Sequence, residues 1–286
     1  MTSYADLLVA GTRRLSTSMS PRLDAEVLLR HAAGLDRAGL MIALRETAPP
    51  DVRARFEELI ERRATGTPVA YLTGTREFMG LSFTVDSQVL VPRPETELLV
   101  EWALASLDRF DHRRVRAVDV GSGSGAIAVA LAALSPEPLD VTAIEPSPGA
   151  RSVIERNRDE LLPGDRHSRF RIVADDLLTD TDGSFELVLA NLPYLTPEQI
   201  AGNPDLDAEP RMALDGGADG LDLVRRLIAQ LPGRVADAYA IGLELDPSQV
   251  RLVVSLLEEA LPGTVVSIIR DYAGLDRHVV ATRFQD

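Results

Sequence analysis

The chain of 286 residues contains no cysteine and no lysine. The absence of cysteine excludes disulfide bonds, thiolate catalysis and zinc sites built from cysteine. Because all 30 basic residues are arginine, Schiff-base chemistry and a phosphate-loop lysine are excluded as well. No run of about 18 apolar residues occurs, so the sequence predicts no membrane-spanning helix. The N-terminus lacks the basic start and apolar stretch of a signal peptide, and we expect a cytoplasmic protein.

Histidine is also scarce. The four histidines, His31, His112, His167 and His278, are scattered along the chain without the spacing of metal ligands. We therefore predict no metal site, and we expect these four side chains to lie on the surface or in loops.

Positive charge is in short supply in the C-terminal part of the chain. Residues 1–92 contain 11 arginines and 11 acidic residues, so the net charge of −14 falls entirely on residues 93–286. A field of this sign repels the phosphate backbone of nucleic acids. We expect no stable nucleic-acid binding, although a local arginine patch in the N-terminal part is still compatible with the sequence.

The N-terminal part has a helical pattern, with apolar residues three and four positions apart. The predicted helices span residues 3–16, 21–33, 36–46 and 50–64. We assign residues 1–73 to an all-helical domain, which is either a plain helical bundle or a domain that recognises a partner.

The pattern changes between residues 74 and 92. Residues 77–85 and 88–91 alternate or are continuously apolar, and Asp86-Ser87 separates them. This segment predicts a β-hairpin that links two domains. Pro94 is expected in the first turn of the helix that follows, with acidic residues beside the positive end of that helix.

Strands and helices alternate in residues 93–286, which form the predicted second domain. Such alternation predicts a mostly parallel sheet with helices on both faces. The last two strands are too close in sequence for a helical crossover and should form an antiparallel pair at the sheet edge. The predicted strands are 115–120, 140–145, 169–174, 185–190, 238–244, 264–270 and 278–284, and the predicted helices are 124–134, 148–159, 219–231 and 248–260.

A glycine-rich turn follows the first of these strands. Glycines at a strand-to-helix turn let the backbone approach a ligand and leave the N–H groups of the helix free to bind it. The expected ligand-binding residues are Gly121, Ser122, Gly123, Ser124 and Gly125. The same pattern also suits dinucleotides, and a tight turn without a ligand is a further interpretation.

Acidic residues end the next two strands. Glu145 could bind both ribose hydroxyls of an adenosine, either in a nicotinamide nucleotide or in S-adenosylmethionine. Asp175 or Asp176 could accept the adenine amino group, or could instead cap a helix. Leu177 could cover the adenine ring.

The fourth strand ends in the tetrapeptide Asn191-Leu192-Pro193-Tyr194. A planar amide or exocyclic amino nitrogen is a poor nucleophile because its lone pair is delocalised. Asn191 Oδ1 and the Leu192 carbonyl could accept its two hydrogens and so turn the lone pair toward a methyl donor. The Tyr194 ring could cover one face of the group. Hydride transfer needs no such tetrapeptide, so the sequence favours methyl transfer to nitrogen.

Four longer segments extend this interpretation, because they resemble the N5-glutamine methyltransferases of peptide chain release factors (HemK/PrmC type). They are Asp24–Leu29, Pro68–Gly74 with Arg76–Phe78, Val91–Glu97 and Glu209–Leu221. The resemblance covers nearly the whole chain, and the last two segments are far more specific than a glycine loop.

The resemblance implies a seven-stranded, Rossmann-like class I methyltransferase domain behind a small helical domain that recognises the release factor. It implies S-adenosylmethionine as cofactor, S-adenosylhomocysteine as product, and a glutamine side chain as methyl acceptor. By position, it implies that Gly121 to Gly125, Glu145, Leu177 and Asn191 bind the cofactor and that Asn191 to Tyr194 hold the glutamine. We add Asp176 for the adenine amino group.

The chain departs from the family at several positions. Leu192 stands where the family usually has proline, Glu145 where it often has aspartate, and Leu177 where it often has an aromatic residue. We expect a slightly less rigid pocket and weaker stacking on adenine. The alternative function is adenine N6-methylation of RNA or DNA, because the tetrapeptide also looks like the motif of rRNA adenine dimethyltransferases. A binding protein without activity and a nicotinamide-dependent dehydrogenase are further alternatives.

Overall fold

A computed structural model describes residues 2–110, 115–137, 139–162, 164, 166 and 169–284. It divides into two compact units, one of Met1–Thr75 with Pro204–Ala208 and one of Arg76–Asn203 with Glu209–Asp286. None of the helices in the described residues combines the length and the apolar character that crossing a membrane requires.

The first unit is helical. Its helices are α1 (Tyr4–Arg14), α2 (Pro21–Ala33), α3 (Arg37–Ala43), α4 (Pro50–Ala64) and α5 (Val69–Thr73). Ser3 forms a capping box with Asp6 at the start of α1, and Gly34 ends α2 in the left-handed conformation. The four helices predicted from periodicity are confirmed, and α5 is a short addition.

The buried faces of these helices form one apolar core, in which Leu8, Leu28, Leu40 and Phe56 are almost completely buried. One polar group is enclosed at its margin. Asp24 in the first turn of α2 accepts hydrogen bonds from Ser18 Oγ, Ser20 Oγ and Arg63 Nε at 2.7–2.8 Å. These bonds tie α2 to α4 and satisfy the buried carboxylate.

The hairpin differs in position from the prediction. Its strands are β1 (Thr75–Phe78) and β2 (Leu81–Thr84), so the turn lies at Met79-Gly80 and not at Asp86-Ser87. Both turn residues have positive φ, at 53° and 72°, as a two-residue type I′ turn requires. Residues 88–91 are not a strand but a loop that begins with a turn at Asp86, in which Val89 and Val91 are buried and Gln88 is exposed.

The second unit contains a seven-stranded sheet in the order β5-β4-β3-β6-β7-β9-β8. The strands are β3 (Arg116–Val120), β4 (Asp140–Ile144), β5 (Phe170–Val173), β6 (Phe185–Ala190), β7 (Val235–Glu244), β8 (Val265–Arg270) and β9 (Asp276–Arg283). The first five strands are parallel, while β9 is antiparallel to both β7 and β8. All seven strands and the antiparallel pair at the edge are confirmed.

Helices cover both faces of this sheet. They are α6 (Pro94–Ser106), α7 (Ala126–Leu134), α8 (Pro148–Leu161), α9 (Pro197–Ala201), α10 (Asp222–Gln230) and α11 (Val250–Ala260). Leu187 and Leu189 of β6 belong to the core under α6 and α7, whereas Val188 belongs to the core under α10 and α11. Alternate residues of one strand thus enter opposite cores, as the pleat of a strand dictates. The mixed α/β fold with a helical N-terminal part is confirmed.

The expectation that all histidines lie on the surface or in loops is wrong for His278. His278 lies on β9 directly opposite Glu244 of β7, and both side chains are almost fully buried. His278 Nε2 is 3.5 Å from Glu244 Oε2. His31 is exposed on α2, while His112 and His167 lie outside the described residues.

Candidate active site

The candidate site lies at the carboxyl ends of the parallel strands. The chain runs from β3 to β4 on one side and then reaches β6 on the other side of β3. Loops that leave β3 and β6 therefore diverge, and the crevice between them is the usual place for a ligand in open α/β sheets. A cavity of about 330 Å³ opens there, within the usual size range of small-molecule sites.

The glycine-rich loop forms one wall of the cavity. Gly121 has a φ of 74°, and a Cβ there would lie 2.8 Å from Leu192 Cδ2. Gly121 N and Ser122 N both donate to Ile144 O at 2.9 Å, which ties the loop to the end of β4. The close approach of this loop to the tetrapeptide thus requires glycine.

Most residues predicted for the cofactor line this cavity. They are Gly121, Ser122, Gly123, Ser124, Glu145, Asp176, Leu177 and Asn191. Gly125 has a different place, because it is the left-handed N-cap residue of α7 and lies against Ile154 and Val129.

Glu145 is held in a fixed orientation. Its Oε2 accepts from Gly123 N at 2.9 Å and its Oε1 accepts from Ser147 N at 2.8 Å. A carboxylate has about four lone-pair sites, so each oxygen retains capacity for a hydroxyl of a ligand. Burial raises the pKa of this carboxyl, and the two backbone N–H groups act in the opposite direction.

Asp119 is a second buried carboxyl in this region. Its Oδ2 accepts from Ala128 N at 3.2 Å, whereas Oδ1 is buried without a hydrogen-bond partner among the described residues. Burial raises the pKa of Asp119 to about 7, and the charge of Glu145 adds to the rise. No motif in the sequence indicates a role for this residue.

The two aspartates that follow β5, Asp175 and Asp176, have different environments. Asp175 is buried and accepts from Thr181 Oγ1 at 2.6 Å and from Asp180 N at 3.0 Å, so it closes a turn and caps no helix. Asp176 is exposed, lines the cavity and pairs with Arg226 at 2.6 Å. The Leu177 side chain is buried against the cavity, and its backbone has a φ of 60°, a conformation that is uncommon outside glycine.

The tetrapeptide presents two oxygen acceptors. The Asn191 side chain donates from Nδ2 to Thr96 Oγ1 at 3.0 Å, which leaves Oδ1 as the free end of the amide. Among the described residues, no group donates to Asn191 Oδ1 or to the Leu192 carbonyl. Asn191, Leu192 and Pro193 all line the cavity. Both predicted acceptors are therefore available to a ligand.

Tyr194 is partly buried and, unlike the other three residues of the tetrapeptide, is not among the residues that line the cavity. Burial raises the pKa of its phenol to about 12, and the charge of Glu244 acts in the same direction. Gln249 Nε2 donates to Tyr194 O at 2.9 Å and to Asp219 O at 3.0 Å. The phenol is thus neutral at ordinary pH, and the backbone of Tyr194 is fixed from the start of α11.

The two segments with the most specific resemblance meet beside the tetrapeptide. Glu209 accepts from Arg93 Nη2 at 2.5 Å and from Val91 N at 3.1 Å. Further along the same segment, Gly216 N donates to Leu195 O, and a Cβ on Gly216 would lie 2.5 Å from Pro193 O. Both segments therefore support the site from outside the sheet.

Three supporting residues could not be assigned from the sequence, namely Thr96, Asn157 and Gln249. Asn157 is fully buried in α8 and bonds Thr84 N, Thr84 O and Ser124 O, which joins the hairpin to the glycine-rich loop. Each partner is distant in sequence, 95 residues away for Thr96 and Asn191. The only local signal for Asn157 was a polar residue within the predicted helix 148–159.

Two family models match the chain. The model of the PrmC N-terminal domain matches residues 6–74, and the model of the methyltransferase small domain matches residues 96–203. The first match covers the helical part, and the second contains the glycine-rich loop, Glu145 and the tetrapeptide.

Characterised relatives resemble the chain over most of its length. The release factor glutamine methyltransferase of Deinococcus radiodurans is 38% identical over 281 residues, which cover 97% of this chain and 98% of the relative. The protein of the same name from Burkholderia pseudomallei is 40% identical over 252 residues, with 86% and 87% covered. Among solved structures, the hMettl16 catalytic domain in complex with MAT2A 3'UTR hairpin 6 has a TM-score of 0.56 at 17% identity, over 76% of this chain and 81% of that one. This last likeness concerns the fold alone.

Proposed function

The chain belongs to the release factor glutamine methyltransferase family, and from this premise we propose that it methylates the amide nitrogen N5 of the glutamine in the Gly-Gly-Gln motif of peptide chain release factors. One observation of this structure carries the proposal. Asn191 and Leu192 are consecutive residues that line the cavity, and neither Asn191 Oδ1 nor the Leu192 carbonyl receives a hydrogen bond from the described residues.

We propose S-adenosylmethionine as the methyl donor. When bound, it supplies a methyl group on a positively charged sulfur. Glu145, already oriented by two backbone N–H groups, would accept the ribose hydroxyls. Leu177 would cover the adenine ring, and Asp176 would accept a hydrogen bond from the adenine amino group. Residues 121–124 would lie along the rest of the donor. The free lone pairs of Glu145 and the absence of any Cβ at Gly121 fit this assignment.

The acceptor pair would orient the substrate amide. If Asn191 Oδ1 and the Leu192 carbonyl accept its two N–H groups, the lone pair of the nitrogen points out of the amide plane toward the methyl group. No strong base is needed before attack, because the nitrogen becomes acidic only as the C–N bond forms. Catalysis is then mainly positioning, which in well-oriented systems lowers a barrier by roughly 7–11 kcal/mol.

The organisation of the chain supports a protein substrate. We propose that residues 1–73 recognise the release factor and that residues 93–286 catalyse methyl transfer. Residues 74–92 would link these two domains. The match of the PrmC N-terminal model to residues 6–74 supports a dedicated N-terminal part. Release factors act on ribosomes, so the proposed place of action is the cytoplasm.

The test is mass spectrometry of a release factor incubated with the full chain and S-adenosylmethionine. We expect a gain of one methyl group on the glutamine of the Gly-Gly-Gln motif. Asn191→Ala should reduce the rate by about 10²-fold or more, the usual effect of losing one positioned hydrogen-bond partner of a reacting group. Its melting temperature should change little, because Asn191 is only partly buried.

Two results would refute the proposal. One is an unmodified glutamine after incubation with active, folded protein. The other is methyl transfer to structured RNA in place of the release factor, measured in parallel with labelled donor. Wild-type turnover by Asn191→Ala would remove that residue from the mechanism.

A further inference from the structure

The orientation of the Asn191 amide decides whether it can help the substrate. A side-chain amide has an oxygen acceptor at one end and an NH₂ donor at the other, and a half-turn exchanges them. With Oδ1 toward the cavity, Asn191 can accept an N–H of a substrate amide. With Nδ2 toward the cavity, the NH₂ group of Asn191 would face the NH₂ group of the substrate, and neither could accept a hydrogen bond from the other. The Asn191 side chain therefore has to be held with Oδ1 toward the cavity.

Thr96 is the partner that fixes the other end. Its Oγ1 accepts from Asn191 Nδ2 at 3.0 Å, and Thr96 is 4% exposed. Water therefore has little access to Thr96 Oγ1, and a donor that loses a buried acceptor is left unfavourably without a partner. A hydroxyl can accept from Nδ2 or donate to Oδ1, so the flipped amide is disfavoured by the NH₂ group that it would present to the substrate amide.

The position of Thr96 is itself fixed by its surroundings. Pro94 begins α6, and Thr96 N donates to Arg93 O at 3.2 Å. The next residue, Glu97, accepts from Met79 N of the hairpin turn at 2.8 Å. Arg93 is held by Glu209. The first turn of α6 is thus braced from two sides.

We propose that Thr96 is a positioning residue for methyl transfer, whose hydroxyl anchors the Asn191 side chain at its Nδ2 end while Asn191 Oδ1 binds the substrate amide. The inference rests on the proposed function and adds a residue to it. Thr96 also lines the cavity, but the proposed role is exerted through its hydrogen bond to Asn191.

The experiment compares Thr96→Val, which keeps the branched shape and removes the hydroxyl, with Thr96→Ser, which keeps the hydroxyl. Thr96→Val should lower kcat for release factor methylation by about 10-fold to 100-fold, with the KM of S-adenosylmethionine changed by less than about twofold, since an interaction made in the transition state is lost. Thr96→Ser should restore most of kcat. Thr142→Val, which removes another buried hydroxyl on β4, is the matched control and should leave kcat unchanged.

A second measurement does not depend on turnover. Hydrogen exchange of the Asn191 side-chain NH₂, followed by NMR on protein with ¹⁵N-labelled asparagine, should be slower in the wild type and Thr96→Ser than in Thr96→Val. Equal exchange in all three proteins would overturn the inference, as would a wild-type kcat for Thr96→Val or a kcat for Thr96→Ser as low as that of Thr96→Val. An inactive wild type with a protected NH₂ would refute the proposed function and leave the Thr96–Asn191 bond established.

Discussion

Buried carboxyl groups dominate the electrostatics of individual residues at this site. Glu145 receives two backbone N–H groups, whereas Asp119 has one oxygen without a partner among the described residues. Both side chains are nearly completely buried, so they differ in the hydrogen bonds that their oxygens accept and not in exposure. A buried carboxylate without enough hydrogen bonds is costly, so Asp119 favours its protonated form.

The ionisation of Asp119 should make the free energy of unfolding depend on pH. Burial raises its pKa in the folded state to about 7 from an ordinary value of 3.8. The folded state therefore binds the proton more tightly, and stability falls as pH rises from about 4 to 7. Between pH 5 and pH 8 the contribution of Asp119 should fall by about 2–3 kcal/mol, since one unit of pKa corresponds to about 1.4 kcal/mol.

Urea unfolding of the wild type and Asp119→Asn at several pH values would measure this effect. Asn keeps the acceptor for Ala128 N but cannot ionise, so the fall in unfolding free energy should be smaller in Asp119→Asn. The rise in the pKa of Glu145 acts in the same direction and remains in both proteins. Parallel curves for the two proteins would contradict a role for Asp119.

At the scale of loops and strands, the glycine-rich turn and the tetrapeptide are coupled by contact. Gly121 combines a left-handed φ of 74° with a distance of 2.8 Å between its hypothetical Cβ and Leu192 Cδ2. The glycine-rich loop and the tetrapeptide therefore cannot be altered independently at this point. The leucine that replaces the usual proline of the family is buried in this contact.

Gly121→Ala should weaken S-adenosylmethionine binding by about tenfold or more and should also reduce stability. The new methyl group would displace either the loop or Leu192, and both line the cavity. Gly34→Ala is a matched control, because Gly34 also has a left-handed φ, 66°, but no atom lies within 4 Å of its hypothetical Cβ. It should lose stability and keep donor affinity in calorimetry. Equal donor affinities for both variants would show that the contact with Leu192 has no effect on the donor site.

The neighbouring strands β7 and β9 bury the ionisable pair Glu244 and His278. Removing one of two adjoining buried polar side chains leaves the polar atoms of the other without a partner and costs roughly 1–3 kcal/mol, whereas replacing both by apolar groups of similar shape can be nearly neutral. His278→Leu should therefore be strongly destabilised, and Glu244→Leu/His278→Leu should recover much of the loss. Thermal unfolding of both variants checks this, and a double variant less stable than His278→Leu would contradict an interaction between the two side chains.

Regular elements were predictable where a single period runs along the segment. The first four helices follow from spacing, since a helix that faces a core repeats at period 3.6. The central strands stand out as short apolar runs, because both of their faces are buried. The hairpin was misplaced because the apolar residues 89–91 resemble a strand in sequence although they do not form one. Val89 and Val91 are buried as parts of a loop, and burial without a strand partner leaves the same mark in the sequence.

On the scale of the whole molecule, the acidic charge lies on the part that contains the site. Residues 93–286 carry the entire net charge of −14, and such a field disfavours a polyanionic substrate. A protein substrate with a glutamine side chain meets no such repulsion. The charge thus agrees with the family to which the chain belongs.

The site as a whole was predictable only in its linear motifs. Glu145 and Asn191 each follow a strand, so their place at the carboxyl edge follows from the topology of a parallel sheet. Thr96, Asn157 and Gln249 act through partners far away in sequence, and no period or motif links them to those partners. Tertiary structure alone brings them together.

The most direct measurement is a crystal structure of the full chain with S-adenosylhomocysteine and a release factor. The glutamine side-chain nitrogen of the Gly-Gly-Gln motif should lie about 2.7–3.2 Å from both Asn191 Oδ1 and the Leu192 carbonyl, on the side of the sulfur. Asn191 Nδ2 should still donate to Thr96 Oγ1. A glutamine bound elsewhere, or held with its nitrogen away from both oxygens, would contradict the mechanism.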